Sequence, residues 1–313
     1  MHLAVSLNIA ATGQDVLHFG QISAFVRNLE AADVDMVIIS DSADAPSTSP
    51  FEATTLLAAL ATMTERIGLV ASASMLAHQP YNLARRFASL DIISHGRVGW
   101  NATLRQNPRE AANFSRPEGF SDDDFRRRAE EYIGIVQGLW RGWDADALLF
   151  DKAGGRFHDP DKMHVLDHKG EFFSVRGPLN VARSPQDAPV LVMSSPAEAD
   201  REFASRVADV VLIGERSLEN AKAVCEELRH FARGVGRQPG TPKLLVTAAA
   251  GSELGADQLA VLHASSGCDG INLTLPADLR ALDDFTGRLL PELAGAGRQH
   301  GPLRGHSGLG GAQ

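Results

Sequence analysis

Mainly apolar runs of three to five residues alternate along the chain with longer segments of helical periodicity. The short runs are typical of strands buried on both faces of a sheet, and an apolar residue at every third or fourth position is typical of an amphipathic helix. After one such run Pro80 begins a segment in which Leu83, Phe87 and Leu90 share one helical face. The strand-like runs cover residues 3–7, 36–39, 67–71, 97–101, 190–193, 210–213, 244–248 and 271–273.

Eight strand-like runs alternating with eight helical segments predict an α/β fold, a closed (β/α)8 TIM barrel of parallel strands. No Gly-x-Gly-x-x-Gly follows the first run, which weakens the alternative of an open dinucleotide-binding sheet. We expect a single barrel over residues 1–294. Residues 143–188, rich in Gly, Asp and Pro, predict an excursion with a hairpin, and residues 295–313 predict a flexible tail.

Composition narrows the class of partner. With 44% hydrophobic and 22% charged residues, the 313-residue chain suits a soluble protein with a large core. A net charge of −9 argues against nucleic acid or an anionic membrane as the main partner. The two cysteines, Cys225 and Cys268, give no disulfide framework, and the N-terminus lacks the features of a signal peptide, so we expect a cytoplasmic location. No apolar run is long enough to span a membrane.

Polar residues follow the predicted strands, where a barrel of this type carries its site. Most of them are uncharged hydrogen-bonding groups, which suit a flat heteroaromatic cofactor or a polar ligand better than metal-assisted hydrolysis. Strand ends also meet water, which by itself favours polar residues there. The histidines at 158, 164 and 168 are interpreted as structural rather than as metal ligands. The strand-end residues are Asn8, Asp41, Ser72, Ser74, Asn101, Thr103, Ser194, Ser195, Gly214, Thr247, Asn272 and Thr274.

A long motif carries a family resemblance. Residues 80–101 read PYNLARRFASLD followed by S-x-GR-x-GWN. This pattern resembles the signature of the bacterial-luciferase-like flavin monooxygenases, in the branch of the nitrilotriacetate, dibenzothiophene-sulfone and long-chain-alkane monooxygenases. Weaker similarity extends from residue 8 to about residue 291.

The resemblance implies a cofactor and partners. Members of this family bind reduced FMN across the barrel mouth, use O2 and act on a small organic substrate. The resemblance also implies a separate flavin reductase that supplies the reduced FMN, and a homodimer. By position in the family pattern, Asp41, Ser72 and Asn101 are expected to hydrogen-bond the flavin ring or its ribityl chain.

The catalytic and lid segments depart from the family pattern. The histidine that relatives often have shortly after Trp-Asn is replaced by Gln106, which cannot act as a general base. The long insertion that folds over the substrate after the seventh strand is missing, since residues 246–251 run within a few positions into the next helix.

The residues at the FMN phosphate site also depart from the family pattern. The His and Tyr that hold the FMN phosphate in relatives fall on Asp122 and Arg126, which are also spaced to pair with each other on one helix. In the turn after the fifth strand the family's serine is Ala197 and its last glycine is Asp200. We expect Arg105 and Arg126 to supply the phosphate-binding charge, with Ser194 and Ser195 beside them.

Three functions follow from this pattern. The first is an FMNH2-dependent monooxygenase. The second is a flavin-free homologue that acts as a partner subunit or ligand-binding protein, which the altered phosphate site, the missing histidine and the missing lid favour. The third is a barrel that binds a deazaflavin through Arg105 and Arg126.

Overall fold

The computed structural model describes residues 1–10, 16–41, 48–114, 118–214, 217–251, 255–293 and 303–306. Within them, eight parallel strands close into a barrel in which consecutive strands are neighbours and the last strand pairs with the first. The α/β TIM barrel predicted from the sequence is therefore confirmed. The barrel strands are β1 His2–Asn8, β2 Met36–Ser40, β3 Gly68–Ser72, β4 Val98–Ala102, β5 Val190–Ser194, β6 Val210–Ile213, β7 Lys243–Ala249 and β8 Gly270–Leu275.

Helices connect the strands. The helix Asp122–Trp140 begins with the Ser121 hydroxyl accepting the Asp124 amide at 3.1 Å. One short helix, Pro108–Ala111, lies between β4 and this helix and is capped by the Asn107 side chain. The other helices are Phe19–Ala31, Ala53–Ala61, Pro80–Ile93, Arg201–Val207, Leu218–Gly234, Ala256–Ser266, Leu279–Asp284 and Leu290–Leu293, with a π-helical turn at Phe285–Leu289 and 3-10 turns at Pro160–Lys162 and Glu198–Asp200.

Each barrel strand is apolar on both faces because it separates two packed layers. In β2, Met36 and Ile38 belong to the cluster inside the barrel, whereas Val37 and Ile39 pack in the layer shared with the helices. Trp100 anchors the outer layer from β4. Its ring is fully buried, and its indole N–H donates to the Ala73 carbonyl at 3.0 Å. Trp100, near the end of the motif at residues 80–101, therefore packs β4 against the segment that follows β3.

The excursion after the helix Asp122–Trp140 contains two hairpins where the sequence predicted one. The first pairs Leu148–Asp151 with Arg156–His158, and the second pairs His168–Lys169 with Ser174–Val175. Glu131 fastens the second hairpin to the helix. Its carboxylate accepts the amides of Phe172 and Phe173 at 3.0 and 2.9 Å and lies 2.9 Å from a ring nitrogen of His168.

Part of the predicted flexible tail is an ordered helix. Residues Leu303–His306 lie under the N-terminal end of the barrel, where Leu303 is fully buried in the inner apolar cluster. A side chain at Gly68, the first residue of β3, would collide with Leu303. The Arg304 guanidinium pairs with both carboxylate oxygens of Asp209 at 2.9 and 2.7 Å. Apolar burial and a bidentate ion pair therefore hold this segment, while the rest of the predicted tail lies outside the described residues.

Candidate functional site

A cavity of about 690 Å³ opens at the C-terminal ends of the barrel strands. This size falls within the range of roughly 300–1,000 Å³ that is usual for small-molecule and cofactor sites. The cavity brings together six of the seven cofactor-binding residues predicted from the sequence, and the seventh, Arg126, is not among the described lining residues. The six are Asp41, Ser72, Asn101, Arg105, Ser194 and Ser195.

A continuous chain of hydrogen bonds crosses three adjacent strand ends on the cavity floor. The Ser194 hydroxyl donates to the Asn101 side-chain oxygen at 2.9 Å, and the Asn101 amide nitrogen donates to the Ser72 hydroxyl at 2.8 Å. Asn101 is only 5% exposed, so these bonds satisfy a polar group that would otherwise be costly to bury. The floor is therefore polar, uncharged and rigidly positioned.

A second chain continues the floor on the opposite side of the barrel. The Ser6 hydroxyl donates to the Asn272 side-chain oxygen at 2.8 Å, and the Asn272 amide nitrogen donates to the Thr247 hydroxyl at 3.3 Å. Asn272 is 1% exposed, and all three residues line the cavity. Asn272 and Thr247 were predicted to lie at the site because they come at the ends of strands, and both line the cavity. Ser6 also lines the cavity but precedes the end of β1, so it was not predicted.

Asp41 follows β2 at the edge of the cavity. One carboxylate oxygen accepts the Ala53 amide at 2.8 Å, at the start of the helix Ala53–Ala61. Burial raises the pKa of Asp41, and the nearby carboxylate of Glu52 raises it further, which the bond from Ala53 only partly offsets. Asp41 thus retains a proton at a higher pH than an exposed aspartate does.

His78 lines the cavity in the loop between β3 and the next helix. Its Nε2 lies 2.9 Å from an Arg86 nitrogen, and its Nδ1 lies 3.0 Å from the Ser74 carbonyl oxygen. Because an arginine only donates, Nε2 must accept, and Nδ1 must carry the proton that reaches the carbonyl. Both ring nitrogens of His78 are therefore used to hold the loop.

Glu110 lines the same cavity but was not singled out from the sequence. It lies on the short helix Pro108–Ala111. Burial raises the pKa of Glu110 and the Asp41 carboxylate raises it further, against the hydrogen bond from Ser74 and the attraction of His78. The Asn-Pro pair at 107–108, a helix-start signal, is the sequence feature that could have indicated this helix.

Gln106, the residue found in place of the family's histidine, has a structural role. Its side-chain oxygen accepts the Phe120 amide at 3.0 Å, and its side-chain nitrogen donates to the Phe120 carbonyl. This two-point contact closes the loop between β4 and the helix Asp122–Trp140. Gln106 lines the cavity, but both of its side-chain polar atoms are hydrogen-bonded to the backbone of Phe120.

The predicted phosphate-binding arginines differ in their surroundings. The Arg126 guanidinium donates to Asp200 at 2.6 Å and to Asp123 at 2.9 Å, so its expected partner Asp122 is replaced by the next residue and by the turn after β5. Arg105 is exposed and lines the cavity. Of the two predicted arginines, Arg105 therefore lines the cavity, whereas Arg126 pairs with Asp200.

Two features are absent from the part of the chain that the structure describes: a cluster of metal-ligating side chains and a helix that could span a membrane. That part holds no group of three or more His, Cys, Asp or Glu residues placed to bind a metal ion. His164 lies 3.0 Å from an Asp144 carboxylate oxygen, and His168 contacts Glu131. None of the helices described is both long and apolar enough to cross a membrane.

Comparison with known proteins identifies relatives of the chain. N-acetyl-S-(2-succino)cysteine monooxygenase of Bacillus subtilis (strain 168) is 37% identical over 244 residues, which are 76% of this chain and 55% of that protein. Dibenzothiophene-sulfone monooxygenase of Rhodococcus erythropolis is 40% identical over 193 residues, which are 62% of this chain and 43% of that protein. The chain therefore spans about half the length of these curated relatives.

Solved structures show the same fold over nearly the whole chain. EDTA monooxygenase from Chelativorans sp. BNC1 matches with a TM-score of 0.83 at 21% identity, over 98% of both chains. The sequence profile of the family described as luciferase-like monooxygenase matches residues 1–253. Because that match covers most of the sequence, the chain belongs to the luciferase-like monooxygenase family.

Proposed function

We propose that the protein is a monooxygenase that binds reduced FMN at the barrel mouth and oxidises a small organic molecule with O2. The observation that carries the proposal is the hydrogen-bonded chain of Ser72, Asn101 and Ser194 across three strand ends. Its hydroxyl and amide groups offer neutral partners to a flat polar ring. When bound, reduced flavin supplies the electrons that activate O2, and the protein orients the reactants and excludes water.

Relatives support the reaction class. Proteins 37–40% identical to this chain over 193–249 residues are named as monooxygenases of N-acetyl-S-(2-succino)cysteine, nitrilotriacetate and dibenzothiophene sulfone. Their substrates are all small organic molecules, but they differ in charge and shape. We therefore extend to this chain the reaction class and not a substrate.

The described residues fit the ring of a flavin better than its phosphate. The Arg126 guanidinium is already paired with Asp200. Ala197 has no hydroxyl and Pro196 has no backbone N–H that could donate to a phosphate. Arg105 and the Ser195 hydroxyl are the phosphate partners that the cavity offers from the predicted set. We expect the phosphate to contribute little, so that riboflavin and FMN bind with affinities within about tenfold of each other.

A titration tests the proposal. FMN and riboflavin, each oxidised and anaerobically reduced, are titrated into the protein and followed by calorimetry. We expect reduced FMN to bind at micromolar concentration, and Asn101→Ala to weaken binding about tenfold because Asn101 joins the two serines. Asn220→Ala, at an exposed position outside the cavity, is the matched control. Failure of both reduced flavins to bind the wild-type protein would overturn the proposal.

The partners that we propose are a separate flavin reductase, which delivers the reduced cofactor, and a second copy of the chain. Both rest on the family resemblance. Free reduced flavin also reacts with O2, so O2 consumption by a reductase, NADH and FMN is compared with and without the purified protein. Transfer of reduced flavin to the protein predicts different rates in the two mixtures. Sedimentation gives the oligomeric state independently.

A flavin-free subunit is the second candidate function. The neutralised Arg126 favours it, as does a relative from Streptomyces pristinaespiralis, 40% identical over 211 residues, that is named as one of the subunits of pristinamycin IIA synthase. In this case flavin affinity should be negligible in the wild-type protein. Asp200→Asn removes the charge that engages Arg126 and should then raise the affinity for FMN but not for riboflavin. Tight binding by wild type with no gain in Asp200→Asn would exclude this candidate.

A further inference from the structure

The floor of the cavity carries two separate chains of hydrogen bonds. The first chain, which carries the proposed function, crosses the ends of β3, β4 and β5. The second chain, formed by Ser6, Asn272 and Thr247, crosses β1, β8 and β7. Because β2 and β6 lie between these two sets of strands, the two chains face each other across the barrel.

Apolar side chains from the two intervening strands separate the chains. Ile38 lies on β2 in register with Ser6, and Leu212 lies on β6 in register with Ser194. Both apolar residues are 3% exposed, belong to the inner cluster and line the cavity. The floor is therefore divided into two polar areas, and a cofactor ring over the first area leaves the second for a different ligand.

The hydrogen bonds within the second chain determine what it can offer to that ligand. Ser6 donates its hydroxyl proton to the Asn272 side-chain oxygen at 2.8 Å, so the Ser6 oxygen can act as an acceptor. Thr247 accepts from the Asn272 side-chain nitrogen at 3.3 Å, so its own hydroxyl proton can be donated. Both hydroxyls belong to half-buried side chains that line the cavity. The second chain thus presents an acceptor at Ser6 and a donor at Thr247.

The spacing of the two hydroxyls matches one carboxamide group. The carboxamide of Asn272 bridges them, with its oxygen at Ser6 and its nitrogen at Thr247. A ligand carboxamide of the same size can reach both hydroxyls from the cavity side in the opposite orientation, with its nitrogen at Ser6 and its oxygen at Thr247. Asn272 is 1% exposed, so the ligand meets the hydroxyls and not the Asn272 side chain.

The wall around the second chain is uncharged. The strands β1, β7 and β8 contribute five described residues to the cavity lining, and none of the five carries a charge: besides the second chain they are Asn8 and Thr274. A carboxylate or an ammonium group bound here would lose its hydration without gaining a counter-ion. A neutral amide exchanges its water molecules for the two hydroxyls at much lower cost.

We propose that the second chain is the substrate subsite and that it takes a neutral carboxamide or lactam group. The Thr247 hydroxyl donates to the carbonyl oxygen of this group, the Ser6 oxygen accepts its N–H, and Asn272 is the positioning residue that holds both hydroxyls. This inference rests on the proposed function, in which the flavin occupies the first chain. The substrate class is therefore a small uncharged organic amide, bound across the barrel from the cofactor.

Three probes with the same aromatic ring test the subsite: para-fluorobenzamide, para-fluoroacetophenone and para-fluorobenzoate. Each is titrated into the flavin-free full chain and followed by fluorine NMR. We expect the amide to bind about threefold to tenfold tighter than the ketone, which offers a carbonyl but no N–H. The anionic benzoate should bind at least about tenfold more weakly than the amide. Equal affinities for the three probes would overturn the inference.

Two variants assign the two hydrogen bonds. Thr247→Val removes the donor at nearly constant side-chain size and should weaken the binding of both amide and ketone about threefold to tenfold. Ser6→Ala removes the acceptor and should weaken the amide alone, so that it no longer binds tighter than the ketone. Thr62→Val, the same change at an exposed position outside the cavity, is the matched control. Wild-type affinity for the amide in both variants would contradict the assignment.

A flavin titration separates this inference from the proposed function. Thr247→Val should bind reduced FMN as the wild-type protein does, because Thr247 lies across the barrel from the first chain. If Thr247→Val loses reduced FMN that the wild-type protein binds, the second chain holds the cofactor and this inference alone is wrong. If the amide binds as expected but no reduced flavin binds the wild-type protein, the amide site stands and the proposed function falls.

Discussion

Gln106 shows how a residue defined by a family pattern acquires a different role in its own structure. By position it replaces a histidine, and by contact it clamps the backbone of Phe120 through both its oxygen and its nitrogen. Glu110 lines the same cavity from the helix that begins at Pro108.

The Gln106 clamp leads to a first prediction. Gln106→Glu keeps an acceptor for the Phe120 amide but removes the donor to its carbonyl and places two acceptors together. We expect hydrogen exchange at the Phe120 amide to accelerate by about tenfold, since an unmatched buried acceptor costs about 1–3 kcal/mol. Gln238→Glu, at an exposed position, is the control. Equal protection in both variants would show that the clamp does not hold the loop.

Glu131 gives a second prediction, on pH. Burial raises the pKa of Glu131, but the bonds from His168 and from the amides of Phe172 and Phe173 outweigh it and hold the pKa below its ordinary value of 4.5. A carboxyl with a lowered folded-state pKa stabilises the protein fully above its unfolded pKa, and this contribution is lost as pH falls through the folded value. The melting temperature should therefore drop below about pH 4.5.

The matched variant for this prediction is Glu131→Gln. It should lower the melting temperature at neutral pH and flatten its decline in acid, because the titrating group is gone. Glu202→Gln, an exposed carboxyl on the helix Arg201–Val207, should behave like wild type. A variant that declines as steeply as wild type would assign the acid sensitivity to other carboxyls.

At the scale of elements, the segment Leu303–His306 closes the end of the barrel opposite the site. Leu303 fills the inner cluster beneath Gly68, the Leu303 amide donates to the Gly96 carbonyl at 2.7 Å, and the Arg304 amide donates to the Gln186 side-chain oxygen at 2.7 Å. The segment is thus held by backbone and side-chain contacts together. It contributes to the barrel core although it is far from the strands along the chain.

The third prediction concerns this closure. Leu303→Ala should reduce the free energy of unfolding by about 2–5 kcal/mol, because it leaves a cavity inside the barrel. Leu279→Ala, at a leucine that is 40% exposed, should cost much less. Denaturant titrations of both variants measure the difference. Equal losses would show that Leu303 does not fill the inner cluster in solution.

At the scale of the whole molecule, the described residues form a single closed barrel with the excursion packed against it. Glu131, on the helix Asp122–Trp140, accepts the amides of Phe172 and Phe173 in the excursion at 3.0 and 2.9 Å. The Gln186 side-chain nitrogen donates to the Asp91 carboxylate at 2.6 Å and to the Val98 carbonyl at 2.9 Å. Barrel and excursion therefore share an interface that both lose on unfolding.

A fourth prediction follows from this shared interface. Thermal unfolding should be one cooperative transition, with calorimetric and van't Hoff enthalpies that agree. Gln186→Ala should lower the midpoint but keep a single transition, since it removes the bonds to Asp91 and Val98 across the interface and leaves the barrel strands intact. Two resolved transitions in the wild-type protein would show that the excursion folds independently.

The sequence by itself determined the barrel, the order of its strands and most of the cavity floor. Strands buried on both faces are apolar throughout and helices repeat every 3.6 residues, so local pattern alone locates them. The strand ends then follow, and with them Asp41, Ser72, Asn101 and Ser194, which the barrel brings into one cavity.

Only the tertiary structure decided which charged groups reach that cavity. Arg126 turns to Asp200, 74 residues away, and Glu110 lines the cavity together with Asp41. These contacts join residues that share no local period, so no pattern in the sequence encodes them. Their partners are set by how the helices and loops pack around the closed barrel, because that packing alone fixes the distances on which pairing of charges and burial depend.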